Sequence, residues 1–188
     1  MAYKTRLTFN SKDWQQPSGA YGKCPGDNNW ECRAGFGFEE WYRNKDFQRD
    51  ENGQIWQYGY WQCFKNPDTL SAGVYEDFTV YTRECPQGCK GNNKGKWYTV
   101  ARYKKVVVLT AEERIEAVQH FNNQIQHIRQ TLQNMGLDVI NYFDGQPDGF
   151  PQLNIKFLIE DEEYVFQAKQ PTYVGRGGGR FRLYLVNE

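Results

Sequence analysis

The sequence lacks a long hydrophobic run, a net charge and an apolar leader. It has 188 residues, of which 23 are basic and 23 are acidic. No stretch approaches the roughly 20 consecutive apolar residues that a membrane-spanning helix needs, and no apolar segment precedes a small-residue cleavage site near Met1. We therefore expect a cytoplasmic chain without a membrane partner. The zero net charge also argues against a uniformly basic nucleic-acid binder.

The motifs of common enzyme classes are absent as well. The sequence contains no Gly-x-Ser-x-Gly nucleophile motif, no Walker loop and no dinucleotide-binding glycine motif. Glu39 and Glu40 are adjacent, so on a strand they point to opposite sides and cannot flank one bond as acid and base. His120 and His127 are too far apart for the i, i+4 metal pair of a helix, and we expect both at the surface. These absences favour a binding domain without catalysis.

Aromatic side chains are abundant and make up 16% of the residues. This fraction is too high for a disordered chain and predicts one domain, 1–188, with an aromatic-rich core. We divide it into an aromatic-rich β part at 1–109, a helix at 110–136 and C-terminal strands at 137–188. All tryptophans lie in the first part: Trp14, Trp30, Trp41, Trp56, Trp61 and Trp97.

One long amphipathic helix is predicted at 110–136. Thr110 and Glu113 have the spacing of a capping box, in which each side chain accepts a hydrogen bond from the other residue's backbone amide. Gly136 suits the left-handed conformation that ends many helices. Apolar side chains between them recur at intervals of three and four and predict one buried stripe. Its members are Ile115, Val118, Phe121, Ile125, Ile128, Leu132 and Met135.

Most of the remaining chain is predicted to form strands and loops. β-branched and aromatic residues are enriched between turn residues at 4–9, 54–64, 78–83, 96–109, 137–142, 153–159, 163–170 and 180–186. The polar segment 86–95 separates two of these strands, which we expect to pair as a hairpin. The sequence thus predicts an α+β chain with one long helix and a C-terminal β-meander.

The charges are separated into blocks along the sequence. No acidic residue lies between Glu84 and Glu112, and a second acid-free stretch runs from Tyr164 to Asn187. The basic residues in these two stretches are Lys90, Lys94, Lys96, Arg102, Lys104, Lys105, Lys169, Arg176, Arg180 and Arg182. Such stretches either form solvated surface or follow the phosphates of a nucleic acid.

The five cysteines are an odd number in a chain for which a reducing compartment is expected. We therefore predict free thiols and no disulfides. The alternative is a structural zinc ion held by four cysteines on two loops, since thiolates are common ligands of tetrahedral zinc. Those four are Cys24, Cys32, Cys85 and Cys89, and neither pair has the two-residue spacing of a usual zinc knuckle.

A family resemblance lies in the segments 73–83 and 95–110. A turn leads into a strand that ends in Tyr81 and Thr82, a loop follows, and a second strand runs into the capped helix. This plan resembles the central hairpin of the PUA-like superfamily, which includes the EVE, YTH, ASCH and SRA modules. Residues 29–30 and 35–41 resemble segments of members that are fused to restriction nucleases. The resemblance implies a β-barrel-centred domain that takes a flipped base into an aromatic pocket.

The function implied is that of a reader of DNA with a modified base, which prefers DNA to RNA and serves an effector nuclease in a restriction-modification system. Aromatic faces for the base are offered by Trp14, Trp30, Phe36, Phe38, Trp41 and Tyr81. Polar neighbours for the base edge are Asn10, Ser11, Asp13 and Glu39. The phosphates are expected to contact Lys90, Lys94, Lys96, Arg176 and Arg180.

Two alternatives remain open. Asp148, a strand, and then Gln167 and Lys169 resemble the magnesium-dependent PD-(D/E)xK core of Mrr-like nucleases, which implies metal binding by Asp148 and hydroxide or phosphate stabilisation by Lys169. The sequence after Lys169 is too short for the remaining strand and helix of that core. The other alternative is a protein interaction module, in which exposed aromatics form a hydrophobic patch.

Overall fold

The computed structural model describes residues 1–24, 32, 35–44, 47–64, 72–86, 88, 95–136, 153–166, 171–172 and 184–186. These residues form an α+β structure with one mixed sheet and two helices, which confirms the predicted class. Neither helix in this part of the chain is long and apolar enough to cross a membrane.

The sheet contains eight strands in the order β2-β3-β6-β5-β4-β1-β8, with β7 also paired to β5. The strands are β1 (Ala2–Leu7), β2 (Phe47–Arg49), β3 (Ile55–Gly59), β4 (Gly73–Glu84), β5 (Lys96–Val108), β6 (Ile155–Leu158), β7 (Glu162–Tyr164) and β8 (Tyr184–Val186). Among the described strands no pairing joins β2 to β8, so the sheet is open and the predicted β-barrel is not formed. The predicted C-terminal meander is also wrong, because β6, β7 and β8 each pair with strands from the first part of the chain.

The longest strands, β4 and β5, pair antiparallel and confirm the predicted hairpin. Their register shifts between Val80 and Tyr81, where a β-bulge gives β5 one additional residue. β1 then pairs parallel to β4. The three central strands therefore present alternate residues to the core and to the opposite side of the sheet.

The observed strands depart from the predicted ones in extent and in number. The strand expected at 54–64 ends at Gly59, and a 3₁₀-helix follows at Gln62–Phe64. Asn154 explains part of this change, because its side-chain amide exchanges hydrogen bonds of 2.8 and 2.9 Å with the backbone of Trp61. Strand β2 escaped prediction because charged residues surround it in the sequence. The strand expected at 137–142 lies outside the described residues.

The predicted single helix is interrupted and forms α1 (Ala111–His120) and α2 (Asn122–Asn134). The capping box is confirmed, since the Glu113 amide donates to Thr110 Oγ1 at 3.1 Å and the Thr110 amide donates to Glu113 Oε2 at 2.9 Å. Phe121 lies between the helices with non-helical φ and ψ of −98° and 25°. After α2, Gly136 adopts the expected positive φ of 73°.

Only part of the predicted apolar stripe is buried. Phe121, Ile125, Ile128 and Leu132 face the interior, whereas Ile115 and Met135 are exposed. In α1 the buried positions belong to Ala117 and Arg114, whose guanidinium donates to the carbonyls of Leu109 and Phe64. His120 and His127 are both exposed, as predicted.

The aromatic-rich core is confirmed. Trp61 is fully buried, and its ring centroid lies 5.1 Å from that of Phe78 and 5.4 Å from that of Tyr103. Such ring pairs contribute about 0.5 to 1.5 kcal/mol each beyond the area that they bury. A smaller cluster joins α2 to the 3₁₀-helix Phe38–Trp41.

The prediction of free thiols is confirmed for Cys63 and wrong for Cys24 and Cys85, which form a disulfide. Gly22 and Cys85 are bridged by a backbone hydrogen bond of 2.8 Å, which brings the two chain segments to a Cα–Cα distance of 5.0 Å between the cysteines. Cys32 is also disulfide-bonded. Oxidised sulfurs cannot act as thiolate ligands, so the four-cysteine zinc site is not formed by Cys24, Cys32 and Cys85 in this structure. Cys89 lies outside the described residues.

Candidate nucleic-acid interface

Three of the aromatics predicted to hold a base lie in the protein interior. Trp14 and Phe36 are fully buried, and Trp41 is 6% exposed. The Trp14 ring packs edge-to-face on Phe166 at a centroid distance of 4.9 Å, and Phe36 packs on Trp41 at 6.0 Å. A base cannot stack on faces that are already covered by other side chains, so the predicted pocket is not formed by these residues.

The other predicted aromatics have different surroundings. Phe38 is half-buried, and its ring contacts Phe36 at 5.4 Å and Tyr60 at 6.2 Å. Trp30 lies outside the described residues. Tyr81 lies on the opposite side of the sheet from the core and is half-buried. The structure therefore does not bring the predicted aromatics together around one cavity.

The polar residues predicted to read a base edge are mostly internal. Asn10 is fully buried and donates to Glu40 Oε1 at 2.7 Å. Glu39 is 3% exposed and accepts from the Thr8 hydroxyl at 2.9 Å. Ser11 is exposed. Asn10 and Glu39 thus stabilise the interior, as buried polar groups require hydrogen-bond partners.

A buried ion pair organises the same region. Lys23 Nζ lies 3.0 Å from Glu40 Oε1, and both side chains are inaccessible to solvent. Glu40 also accepts hydrogen bonds from the Gly37 amide and from the Ser18 amide and hydroxyl. Burial raises the pKa of Glu40, and the charge of Lys23 opposes this rise. These contacts hold the 3₁₀-helix Phe38–Trp41, which was not among the predicted elements.

A second polar network surrounds Glu162 on β7. Its carboxylate accepts from the Arg43 guanidinium at 3.0 and 3.1 Å and from the Tyr103 hydroxyl at 2.6 Å. Arg43 also stacks on the Tyr164 ring at 3.6 Å, and the Tyr164 hydroxyl donates to Asp13. Burial raises the pKa of Tyr103, which therefore remains a neutral phenol. Asp13, a predicted base-edge reader, is thus held by this network.

The basic stretch of β5 meets acids that are distant in sequence. The ion pairs are Arg102 with Glu163 at 3.1 Å and Lys104 with Asp161 at 3.9 Å. The strand register also places Lys105 opposite Glu76 in the hairpin. Of the predicted phosphate ligands, Lys96 is exposed at the start of β5. The others lie outside the described residues: Lys90, Lys94, Arg176 and Arg180. The separation of charge in the sequence is therefore only partly kept in the fold.

A surface that combines aromatic and basic side chains lies on the side of β1, β4 and β5 that faces away from the core. We call it the outer face. The register places its members in three rows: Lys4, Thr79 and Arg102; Arg6, Tyr81 and Thr99; and Arg83 with Trp97. Phe78 and Val80 alternate with these positions and are fully buried on the other side. The bulge after Val80 keeps both Thr99 and Arg102 on the outer face.

Trp97 is the centre of this surface. The guanidinium carbon of Arg6 lies 5.9 Å from the centroid of its ring, and that of Arg83 lies 5.8 Å away. Both distances fall within the range of cation–π attraction. Arg6 is buried, whereas Arg83 and Trp97 are half-buried. Burial also raises the pKa of Tyr81, so Tyr81 is a second neutral aromatic in the adjacent row.

Comparison with known proteins assigns no family. No family model, curated protein or solved structure matches the chain. The resemblance to the PUA-like superfamily therefore stays a prediction. The sequence predictions named Tyr81 and Lys96 but not Trp97, Arg83 or Arg6 as site residues. The alternation of residues along β4 and β5 is the sequence signal that indicates Trp97 and Arg83, because it places both on the polar side of the hairpin.

Proposed function

We propose that the chain binds nucleic acid through the outer face, with bases stacking on Trp97 and Tyr81. The position of Trp97 beside the guanidinium groups of Arg6 and Arg83 is the observation that carries the proposal. Base–aromatic stacking contributes about 1 to 3 kcal/mol per base. Arg83 and Lys4 supply positive charge at the same surface for the phosphates.

The preferred ligand is a single-stranded or locally unpaired segment. A base stacks on an aromatic side chain only when its own face is free, which a base inside a duplex is not. The outer face is part of an open sheet, whereas Trp14, Phe36 and Trp41 are packed in the core. We therefore propose that bases stack on the surface of the sheet, and not that one flipped base enters a closed aromatic cage. Preference for DNA and for a modified base stays a prediction from the resemblance.

The experiment is a binding titration with labelled short single-stranded DNA and RNA, and with unmodified, methylated and hydroxymethylated duplexes, at several salt concentrations. Trp97→Ala should weaken single-strand binding about tenfold, which corresponds to about 1.4 kcal/mol. Arg83→Ala should weaken binding and reduce its salt dependence, because one fewer cation contacts phosphate.

Matched controls lie on β2, which is the edge strand at the opposite end of the sheet from β1 and β8. Phe47→Ala removes a half-exposed aromatic and Arg49→Ala an exposed cation, and both variants should bind as the wild type does. The proposal fails if no nucleic acid binds at low salt, or if Phe47→Ala weakens binding as much as Trp97→Ala.

The nuclease alternative depends on residues outside the described part of the chain, namely Asp148, Gln167 and Lys169. It stays a prediction. Cleavage of supercoiled plasmid with Mg²⁺ or Mn²⁺ that is lost in Lys169→Ala would support it against the binding function proposed above. The protein interaction module likewise stays a prediction.

A further inference from the structure

The disulfide between Cys24 and Cys85 lies directly beside the outer face. Cys85 follows the last residue of β4 and is two positions from Arg83. Cys24 Sγ lies 3.5 Å from the Arg83 carbonyl oxygen. The disulfide therefore attaches the segment around Gly22 and Cys24 to the end of the strand that carries Arg83.

Gly95 connects this disulfide to Trp97. A Cβ atom on Gly95 would lie 2.7 Å from Arg83 Nε and 2.8 Å from Cys85 Sγ, so the glycine backbone packs closely against both. Gly95 immediately precedes Lys96 and Trp97 at the start of β5. The disulfide sulfur, the guanidinium of Arg83 and the start of β5 thus form one packed unit.

We propose that the redox state of the Cys24–Cys85 disulfide controls nucleic-acid binding by the outer face. This inference rests on the proposed function. A dithiol reductant would supply two electrons and two protons, so that the S–S bond breaks, Cys24 and Cys85 become thiols and the reductant becomes a disulfide. The end of β4 is then no longer cross-linked to the segment around Cys24. As a result, the Arg83 side chain loses the fixed position from which it contacts Trp97.

The remaining thiol is poorly suited to the same role. Cys63 is the free cysteine among the described residues, and burial raises its pKa well above the usual range of a thiol. Redox reagents react with thiolates, which are disfavoured at such a site. Cys32 is disulfide-bonded as well, so an experiment must separate its reduction from that of Cys24 and Cys85.

The experiment follows the indole N–H resonance of Trp97 by NMR, assigned by its loss in Trp97→Phe, together with binding of short single-stranded DNA. Peptide mapping establishes when the Cys24–Cys85 linkage is lost. Reduction by a dithiol should shift the Trp97 resonance and weaken binding about tenfold, because ordered contacts at the stacking site are lost. The double variant Cys24→Ser/Cys85→Ser should match the reduced wild type and should not respond to the reductant.

Control variants separate the other cysteines. Cys63→Ser and Cys32→Ser should retain the response, and a response lost in Cys32→Ser but kept in Cys24→Ser/Cys85→Ser would overturn the inference. Equal binding in both redox states, or loss of the β-sheet circular dichroism signal together with binding, would overturn it as well. Absence of binding in both states would instead contradict the proposed function.

Discussion

Two tryptophans show how the same residue type serves different regions of this molecule. Trp14 is fully buried, and its indole N–H donates to the Thr8 carbonyl at 3.0 Å. Trp97 lies on the opposite side of the sheet, beside two guanidinium groups and partly open to solvent. The first has all its contacts satisfied within the fold, whereas the second has a surface that can take part in binding. Aromatic content alone therefore does not indicate a binding site.

The loop that contains Trp14 has an unusual backbone geometry. Asp13 and Trp14 have positive φ values of 54° and 55°, a conformation that costs about 1 to 3 kcal/mol for residues with side chains. Asn10 compensates because its Oδ1 accepts from the amides of Lys12 and Trp14 at 2.6 and 3.0 Å. The loop at 10–14 is thus stabilised by hydrogen bonds to Asn10 and by packing of Trp14 in the core. The outer face depends instead on regular strand pairing.

The largest expected effect comes from removing the interior ring. Trp14→Ala should lower the free energy of unfolding by about 3 to 5 kcal/mol, because it leaves a large cavity in the core. Trp97→Ala should lower it by at most about 1 kcal/mol, since this side chain is partly exposed. Urea unfolding followed by circular dichroism measures both. Equal losses of stability would contradict the distinction between the two regions.

Removal of the buried cation should have the next largest effect. Lys23→Met leaves the carboxylate of Glu40 buried without its charged partner, which should cost about 3 kcal/mol at neutral pH. Burial already raises the pKa of Glu40 in the folded state, and losing Lys23 raises it further. A raised carboxyl pKa contributes stability below the unfolded-state value and loses it as pH rises through the folded-state value.

The pH dependence of that variant provides a sharp measurement. The difference in unfolding free energy between Lys23→Met and the wild type should shrink as pH falls toward the ordinary pKa of glutamate, because protonated Glu40 needs no counter-charge. Lys104→Met removes an exposed cation and should change stability little at any pH. A loss that is constant with pH in Lys23→Met would indicate that packing, not charge, explains it.

Local sequence signals predicted the elements whose causes are local. The Thr110–Glu113 capping box, Gly136 and the β4–β5 hairpin are confirmed because their determinants lie within a few residues or in one alternating pattern. The break at Phe121 was not predicted, and the ring of this residue packs at 5.0 Å on Tyr58, which is distant in the sequence. The prediction of a β-barrel was wrong, because the pairing of strands from distant segments leaves no comparable local signal in the sequence.

The candidate site was predicted less well, for the same reason. Exposure of Trp14 and Trp97 depends on which side of the sheet each occupies, and composition does not contain this information. The acids that pair with Arg102 and Lys104 are about 60 residues away in the sequence. The charge pattern along the chain therefore did not predict that this basic stretch is partly neutralised. The odd number of cysteines and the expected reducing compartment argued against a disulfide, although the fold brings Cys24 and Cys85 together.

The smallest expected effect concerns the ion pair at the margin of the outer face. Arg102 and Glu163 are both more than half exposed, with side-chain accessibilities of 54% and 64%. Such a pair contributes about 1 kcal/mol or less, so Glu163→Gln should leave stability nearly unchanged. The variant should nevertheless bind single-stranded nucleic acid about threefold more tightly at low salt and show a steeper salt dependence, because Arg102 becomes available to phosphate. Glu51→Gln is the matched control, since it changes the net charge equally at an exposed turn before β3. Equal tightening in both variants would show that net charge, and not the outer face, determines the affinity.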